Sequence, residues 1–236
     1  MEGFTYTNIF ETKGIEYLVI ITFFLVLVPF WLLLNRKRKA TEKAEEHLLL
    51  TAGSFVVPKG IFFSKFHSWA HLQTDGLAKV GIDEFLLRIT GSVNYLLLKE
   101  PGEWVRKGEV LIMVEHEGKK LEILSPLTGK IEKANNTGFA DSHDTTDPAF
   151  YKNGWICMIQ PSNWKSETVS CYLADEALQW FNQELKRVKD FIAESVKYIS
   201  PDSVQVVMQD GGELYDQPLT EFPRDVWNSF QEQFLS

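Results

Sequence analysis

The sequence predicts a mainly β fold with α: a compact β module, preceded by one transmembrane helix and followed by a helix plus small β-hairpin extension. Three observations lead there. One uncharged apolar run stands near the start of the chain. Short apolar runs broken by Gly, Pro and Asn fill its middle, and hydrophobic residues at three- and four-residue steps follow from about Ser166 to Ile199. A length of 236 residues suits one to two domains, and 44% hydrophobic with 24% charged residues excludes a disordered chain or a many-pass membrane protein.

The apolar run, Tyr17 to Leu34, reads YLVIITFFLVLVPFWLLL and contains no charge. At about 1.5 Å per residue it spans roughly 27 Å, close to the hydrocarbon thickness of a bilayer. A soluble core helix would carry a polar face, and this run has none. Pro29 predicts a kink that a membrane helix tolerates, and Tyr17 and Trp31 stand near the ends, where amphipathic rings favour the interface. A cleaved signal peptide is disfavoured. Glu2, Glu11 and Glu16 precede the run in place of basic residues, and no small-residue cleavage site follows. The basic collar Arg36-Lys37-Arg38-Lys39 comes next. It predicts a single-pass protein of the inner or plasma membrane, N-terminus out and C-terminal domain cytoplasmic, with membrane lipid as one partner.

Residues 1–40 hold five of the 24 basic and three of the 32 acidic residues, so residues 41–236 keep 19 and 29 and carry a net charge of −10. An acidic body excludes a nucleic-acid partner that would need a basic face. The two cysteines, Cys157 and Cys171, exclude a disulfide framework and a four-cysteine zinc site. Cys157 lies in an apolar run and reads as a buried small hydrophobe, whereas Cys171 opens the helical stretch and reads as accessible.

The soluble part divides into a linker at residues 41–60, a β module at 61–162 and a C-terminal extension at 163–236, after the anchor segment at 1–40. Thr41–Leu50 reads as a short helical continuation or linker. The β runs are VNYLLL (93–98), VLIMV (110–114), LEIL (121–124) and WICMI (155–159). Helical spacing joins Leu173, Ala177, Trp180, Phe181, Leu185, Val188, Phe191 and Ile192, and the aromatic stripe there is expected to pack on the β module or on the C-terminal hairpin, with a partner-binding face as the alternative. Asp210-Gly211-Gly212 predicts a hairpin turn between flanking strands, and Pro223 opens a last short helix.

Ordered motifs run through the β module. They are His67-Ser68-Trp69, then Val80-Gly81-Ile82-Asp83-Glu84-Phe85, Gly91-Ser92-Val93 and Gly102-Glu103-Trp104-Val105-Arg106-Lys107-Gly108-Glu109. Val114-Glu115, Ser125-Pro126-Leu127-Thr128-Gly129, Asn135-Asn136, Asp147-Pro148 and Gly154-Trp155 complete the order. This series resembles the H protein of the glycine cleavage system over Ser64 to Pro161, less than half the chain. The resemblance implies a lipoyl-type barrel-sandwich hybrid, two small sheets face to face. It also implies a hairpin in which Glu-Ser-Val-Lys presents a lysine for acylation by lipoate, the arm that carries groups between enzymes.

Here the hairpin reads Val114-Glu115-His116-Glu117-Gly118-Lys119-Lys120-Leu121. Counted forward from Glu115 or back from Pro126, the acceptor position is Gly118, and the candidate lipoyl residue is one place on, at Lys119. Two readings follow. A one-residue shift of the tip would make Lys119 the lipoyl carrier of a membrane-associated glycine-cleavage-like or redox complex. Otherwise lipoylation is lost and no cofactor is expected. Ligases read a lysine's place on a rigid turn, and a one-residue slip reverses the face of a side chain, so loss is the favoured reading. Lys119 and Lys120 are then solvated charges and His116 an exposed neighbour.

No catalytic residue and no metal ligand is assigned. His67 and His71 flank Trp69 in a strand context, where helical metal spacing does not apply, and Asp141, Ser142, His143 and Asp144 lie too close in sequence for a triad. The expectation is a non-catalytic cytoplasmic docking or scaffold module for an unknown protein partner. An adaptor of a secretion pump, which also joins an anchor to a lipoyl-like domain, is disfavoured by the inward basic flank and the uninterrupted module.

Overall fold

The computed structural model describes residues 9–34 (side chains of 17–30), 49–51, 54–91, 93–135, 150–198, 207 and 213–236. The predicted tight turn at Asp210-Gly211-Gly212, the collar at 36–39 and the Asp141–Asp144 loop lie outside them. Residues 1–46 and 47–236 form two separate compact units.

In the first unit α1 (Ile9–Leu34) is one helix of 26 residues with Pro29 inside it. Its apolar side chains from Tyr17 to Phe30 are exposed, Leu18 at 67% and Leu25 at 68%. Among the described residues no helix is long and apolar enough to cross a membrane.

In the second unit a seven-stranded sheet faces a three-stranded one. The larger contains β2 (Phe62–Phe63), β3 (Ser68–Leu72), β4 (Ala78–Ile82), β6 (Trp104–Val105), β9 (Gly129–Ala134), β10 (Cys157–Pro161) and β11 (Tyr172–Leu173), in the order β11-β2-β3-β4-β10-β9-β6. The smaller has β5 (Asn94–Leu97), β7 (Val110–His116) and β8 (Lys119–Leu124), in the order β5-β7-β8. Inward residues of both sheets, among them Trp69, Val80, Ile82, Ile112, Val114, Leu121, Ile123 and Ile131, are buried together. That is the alternation expected of strands with one face on a core.

The middle of the chain is not all β. Between β4 and β5, α2 (Glu84–Thr90) is a buried helix. Asp83 caps it, its Oδ1 accepting from the Leu86 N–H at 2.8 Å. Gly91 ends it at φ 74°, where a Cβ would also stand 2.8 Å from the Gln217 amide oxygen, so only glycine fits.

The single helix expected from Ser166 to Ile199 is divided. α3 (Phe150–Asn153) and α4 (Trp164–Thr168) are short, strand β11 follows α4, and α5 runs from Asp175 to Ser195. Ala174, at φ 49°, turns the chain into α5. The aromatic stripe packs as expected: Phe181 meets Phe55, Phe63 and Phe85.

Apart from Val207, the first strand and turn of the expected C-terminal hairpin lie outside the described residues; β12 (Leu214–Tyr215), in its second half, pairs with β1 (Leu49–Leu50). Leu50 belongs to that strand and not to a helical continuation. Leu50 and Leu214 are both fully buried, which explains the choice. A 3-10 turn (Pro218–Glu221) then leads to α6 (Arg224–Phe234), the expected helix after Pro223.

Candidate functional site

β7 and β8 meet in a two-residue loop, Glu117-Gly118, flanked by the His116–Lys119 pair. Both loop residues have positive φ, 48° and 80°. That is the type I′ geometry whose twist matches the strands it joins, and glycine suits its second position. Gly118 therefore stands where the resemblance would place the acylated lysine. It has no amine, and its φ is one that L side chains rarely adopt.

Lys119 is not a solvated charge. Its Nζ donates to the carbonyls of Thr220 at 2.8 Å and Phe222 at 3.2 Å, and lies 5.3 Å from the centre of the Trp227 ring. His116 is likewise no exposed neighbour, since it stacks on Trp227 with ring centres 5.9 Å apart and planes 5° from parallel. The C-terminal segment supplies all of these contacts. Arg224 Nη2 donates to the Gly118 carbonyl at 2.6 Å. The Gln231 amide accepts from the Glu122 N–H at 2.7 Å and donates to its carbonyl at 3.1 Å, pairing the free edge of β8 as a strand would. Arg224, Trp227 and Gln231 lie at i, i+3 and i+7, one face of a helix. Trp227 is fully buried, and its Nε1–H donates to Leu219 O at 2.9 Å.

Lys120, by contrast, is exposed and lies 3.8 Å from Glu115. Lipoate in amide linkage, which the resemblance implies, would need a side-chain amine; Gly118, the position counted for it, has none, and the Lys119 amine is hydrogen-bonded to two backbone carbonyls.

A second polar cluster surrounds α2. His67 and Asp83 are both fully buried and joined Nδ1 to Oδ2 at 2.9 Å. His67 stacks between Phe85 and Trp180, with its Nε2 buried and unpartnered. The expected packing role fits this geometry. Among the described residues no group of three or more His, Cys, Asp or Glu could hold a metal.

Next to it the Glu84 carboxylate accepts from the Val56 N–H at 3.2 Å and lies 3.6 Å from Arg88. Burial pushes its pKa up to about 7, against the pull of the Val56 bond and the Arg88 charge. Arg88 donates to Asp216 at 2.7 and 3.0 Å and to Ser54 O at 3.2 Å. The sequence reading missed this cluster. Its signal was local: Asp83 before Glu84-Phe85-Leu86 has N-cap chemistry, and Glu84 with Arg88 has ion-pair spacing.

Neither cysteine is poised as a nucleophile. Burial raises the Cys157 thiol to about 12 and raises Cys171 as well. Cys171, expected to be accessible, is buried, with its Sγ 3.9 Å from Glu167 O.

The sequence profile described as glycine cleavage H-protein matches residues 61–187. A probable glycine cleavage system H protein of Pyrococcus abyssi is 32% identical over 119 residues, 50% of this chain and 87% of its own. The glycine cleavage system H protein of Methylococcus capsulatus is 33% identical over 107 residues, 45% of this chain and 83% of its own. A crystal structure of the Mycobacterium marinum H protein covers 45% of this chain and 87% of its own, at 26% identity and a TM-score of 0.39.

Proposed function

This chain belongs to the glycine cleavage H-protein family, and from that premise we propose that it works as a lipoate-free docking module tethered to a membrane. H proteins are carriers, not enzymes, and act by meeting other glycine cleavage proteins. Such a protein needs a recognisable surface whether or not it carries an arm.

One observation carries the proposal. The hairpin has Gly118 at the acceptor position, in a turn that suits glycine, and the nearest amine is bound to Thr220 and Phe222. Losing the arm leaves the barrel intact, because Gly118 contributes no packing. The protein then retains the shape of a carrier without its cargo site and acts as a scaffold for an unidentified protein.

The tether is the second half of the reading. Tyr17–Leu34 is apolar throughout, lies on a continuous helix, and exposes its side chains from Tyr17 to Phe30. Water disfavours such a surface, and a bilayer does not. The collar Arg36–Lys39 sets the orientation proposed for it, with the acidic body on the cytoplasmic side.

Two measurements test the two halves. Purified full-length chain is incubated with lipoate, ATP and a lipoate-protein ligase, beside an unmodified H protein that has its acceptor lysine as control. The proposal expects label on the control alone, and label on Lys119 overturns it in favour of the carrier reading. Membrane fractionation with protease treatment of spheroplasts tests the tether. The chain should sediment with membranes and resist protease added from outside, and release by carbonate wash or digestion from outside would refute the placement.

A further inference from the structure

The outer face of the seven-stranded sheet differs in charge from the acidic body it belongs to. Strand register sets His71, Lys79, Met158 and Lys133 side by side across β3, β4, β10 and β9. A second row, Trp104, Lys130 and Gln160, runs across β6, β9 and β10. The pairs next to them, Val80 with Cys157 and Ile159 with Ile131, are buried, so by alternation both rows face outward. Side chains directly across strands stand about 5 Å apart, which makes the two rows one surface.

Lys152, exposed on α3, adjoins that surface, because its carbonyl accepts from Lys79 Nζ at 3.1 Å. Lys79 also lies 5.7 Å from the centre of the Trp155 ring. Glu132, at the β9 bulge, is the one carboxylate among the described residues of these rows, 3.3 Å from Lys130. Burial and then the Lys79 charge lower the His71 pKa, so His71 adds no charge at neutral pH. Four lysines therefore meet one acid, on a body whose net charge is −10. The outer face of the smaller sheet has the opposite balance, with Glu115 and Glu122 beside Lys120.

Two further features point to the occupant. Trp104 is 60% exposed at the edge of the lysine rows, and an indole beside lysines is a pairing that the membrane–water interface favours. The acidic remainder of the body repels polyanions in solution, but a leaflet to which the chain is already anchored overcomes that repulsion through local concentration. The 14 residues from 35 to 48 reach at most about 50 Å when extended, enough to bring headgroups within range.

We propose that the Lys79, Lys130, Lys133 and Lys152 face of the larger sheet, with Trp104 at its edge, binds the anionic lipid headgroups of the leaflet that holds the tether. The inference rests on the tether reading in one respect, that the body is kept beside a bilayer. It adds which side of the body meets that bilayer, and leaves the lipoyl-type hairpin, on the other sheet, turned to a protein partner.

The test uses the full-length chain reconstituted into vesicles of phosphatidylcholine alone or with about a quarter of phosphatidylglycerol. Flotation with the neutral vesicles reads the tether. The face is read by a short pulse of an amine-acetylating reagent. The yield at each lysine, from mass spectrometry, is divided by that of Lys120, which is exposed on the other sheet. Lys133 and Lys152 should react about fivefold more slowly in the anionic vesicles than in the neutral ones, the scale of one lysine's attraction to such a surface, and high salt should abolish the difference. Lys133→Glu changes an exposed side chain and should cut the protection of Lys152 to less than about twofold. Equal reactivity in both vesicles, with flotation intact, overturns the proposal and leaves the rows to an anionic protein or nucleic acid. Slow reaction in both would mean that this chain covers the rows itself, and overturns it too. A chain that floats with neither refutes tether and face together, and one that floats with the anionic vesicles alone refutes the tether and upholds the face.

Discussion

The C-terminal segment holds the barrel near Arg88 and at the hairpin by opposite means. Near Arg88 the contact is charge on charge with little water: Arg88 is 3% exposed, Glu84 1% and Asp216 20%. At the hairpin the polar contacts are to backbone carbonyls and the Glu122 N–H at an exposed edge, and one buried ring, Trp227, supplies the packing. The difference teaches which perturbation each end feels. Buried charge responds to protonation and to loss of a partner. The hairpin end responds to loss of apolar contact and is almost indifferent to any one surface hydrogen bond.

The largest effect should come from Trp227→Ala. It empties a fully buried site beneath Lys119 and beside His116 and is expected to cost about 3–5 kcal/mol, read from urea unfolding followed by circular dichroism. A loss well under 1 kcal/mol would mean that the segment rests on the hairpin without being held by it.

Next comes pH. Glu84 has a folded pKa near 7, raised above its ordinary value of 4.5. The folded state therefore binds this proton more tightly, and the stability it contributes is complete below about 4.5 and lost as the pH rises through 7. The span is at most about 3 kcal/mol. Glu84→Gln should flatten that part of the stability profile. A profile that keeps the natural slope between pH 5 and 7, roughly the window set by those two values, would assign the titration to another group.

The two ends also differ in how far they could be read beforehand. The two-sheet barrel was legible because its strands alternate and its turns are marked by Gly and Pro, and the resemblance supplied its order. The hairpin position was legible as a count from Glu115. The C-terminal cover was not, because Leu214–Tyr215 is too short to announce a partner and pairs with Leu49–Leu50, more than 160 positions away, where Leu50 and Leu214 are buried. Lys119 looked like a surface charge for the same reason: its partners are carbonyls of Thr220 and Phe222, which carry no side-chain signature. α2 was hidden by its apolar run, which strand and buried helix share when the run is short.

Restoring the family residue sharpens the comparison at the hairpin. Gly118→Lys should cost about 1–2 kcal/mol, because φ 80° is unfavourable for a side chain although nothing lies within 4 Å of the new Cβ. The same variant should accept lipoate from a ligase where the natural chain does not. Refusal would show that the C-terminal segment over the hairpin, and not the missing amine alone, keeps the ligase away.

The smallest effect belongs to Arg224→Ala. Its bond to Gly118 O is exposed, so the loss should stay near 1 kcal/mol or below, seen as faster exchange of hairpin amides with only a small drop in the unfolding midpoint. A cost above about 2 kcal/mol would make the hairpin end as charge-dependent as the end near Arg88.

The central claim is that this H-protein barrel carries no lipoate. Intact-mass measurement of the full-length chain, isolated from its own cells grown with lipoate, addresses it most directly. The account predicts the unmodified mass of the sequence, and a lipoyl adduct mapped to Lys119 would contradict it.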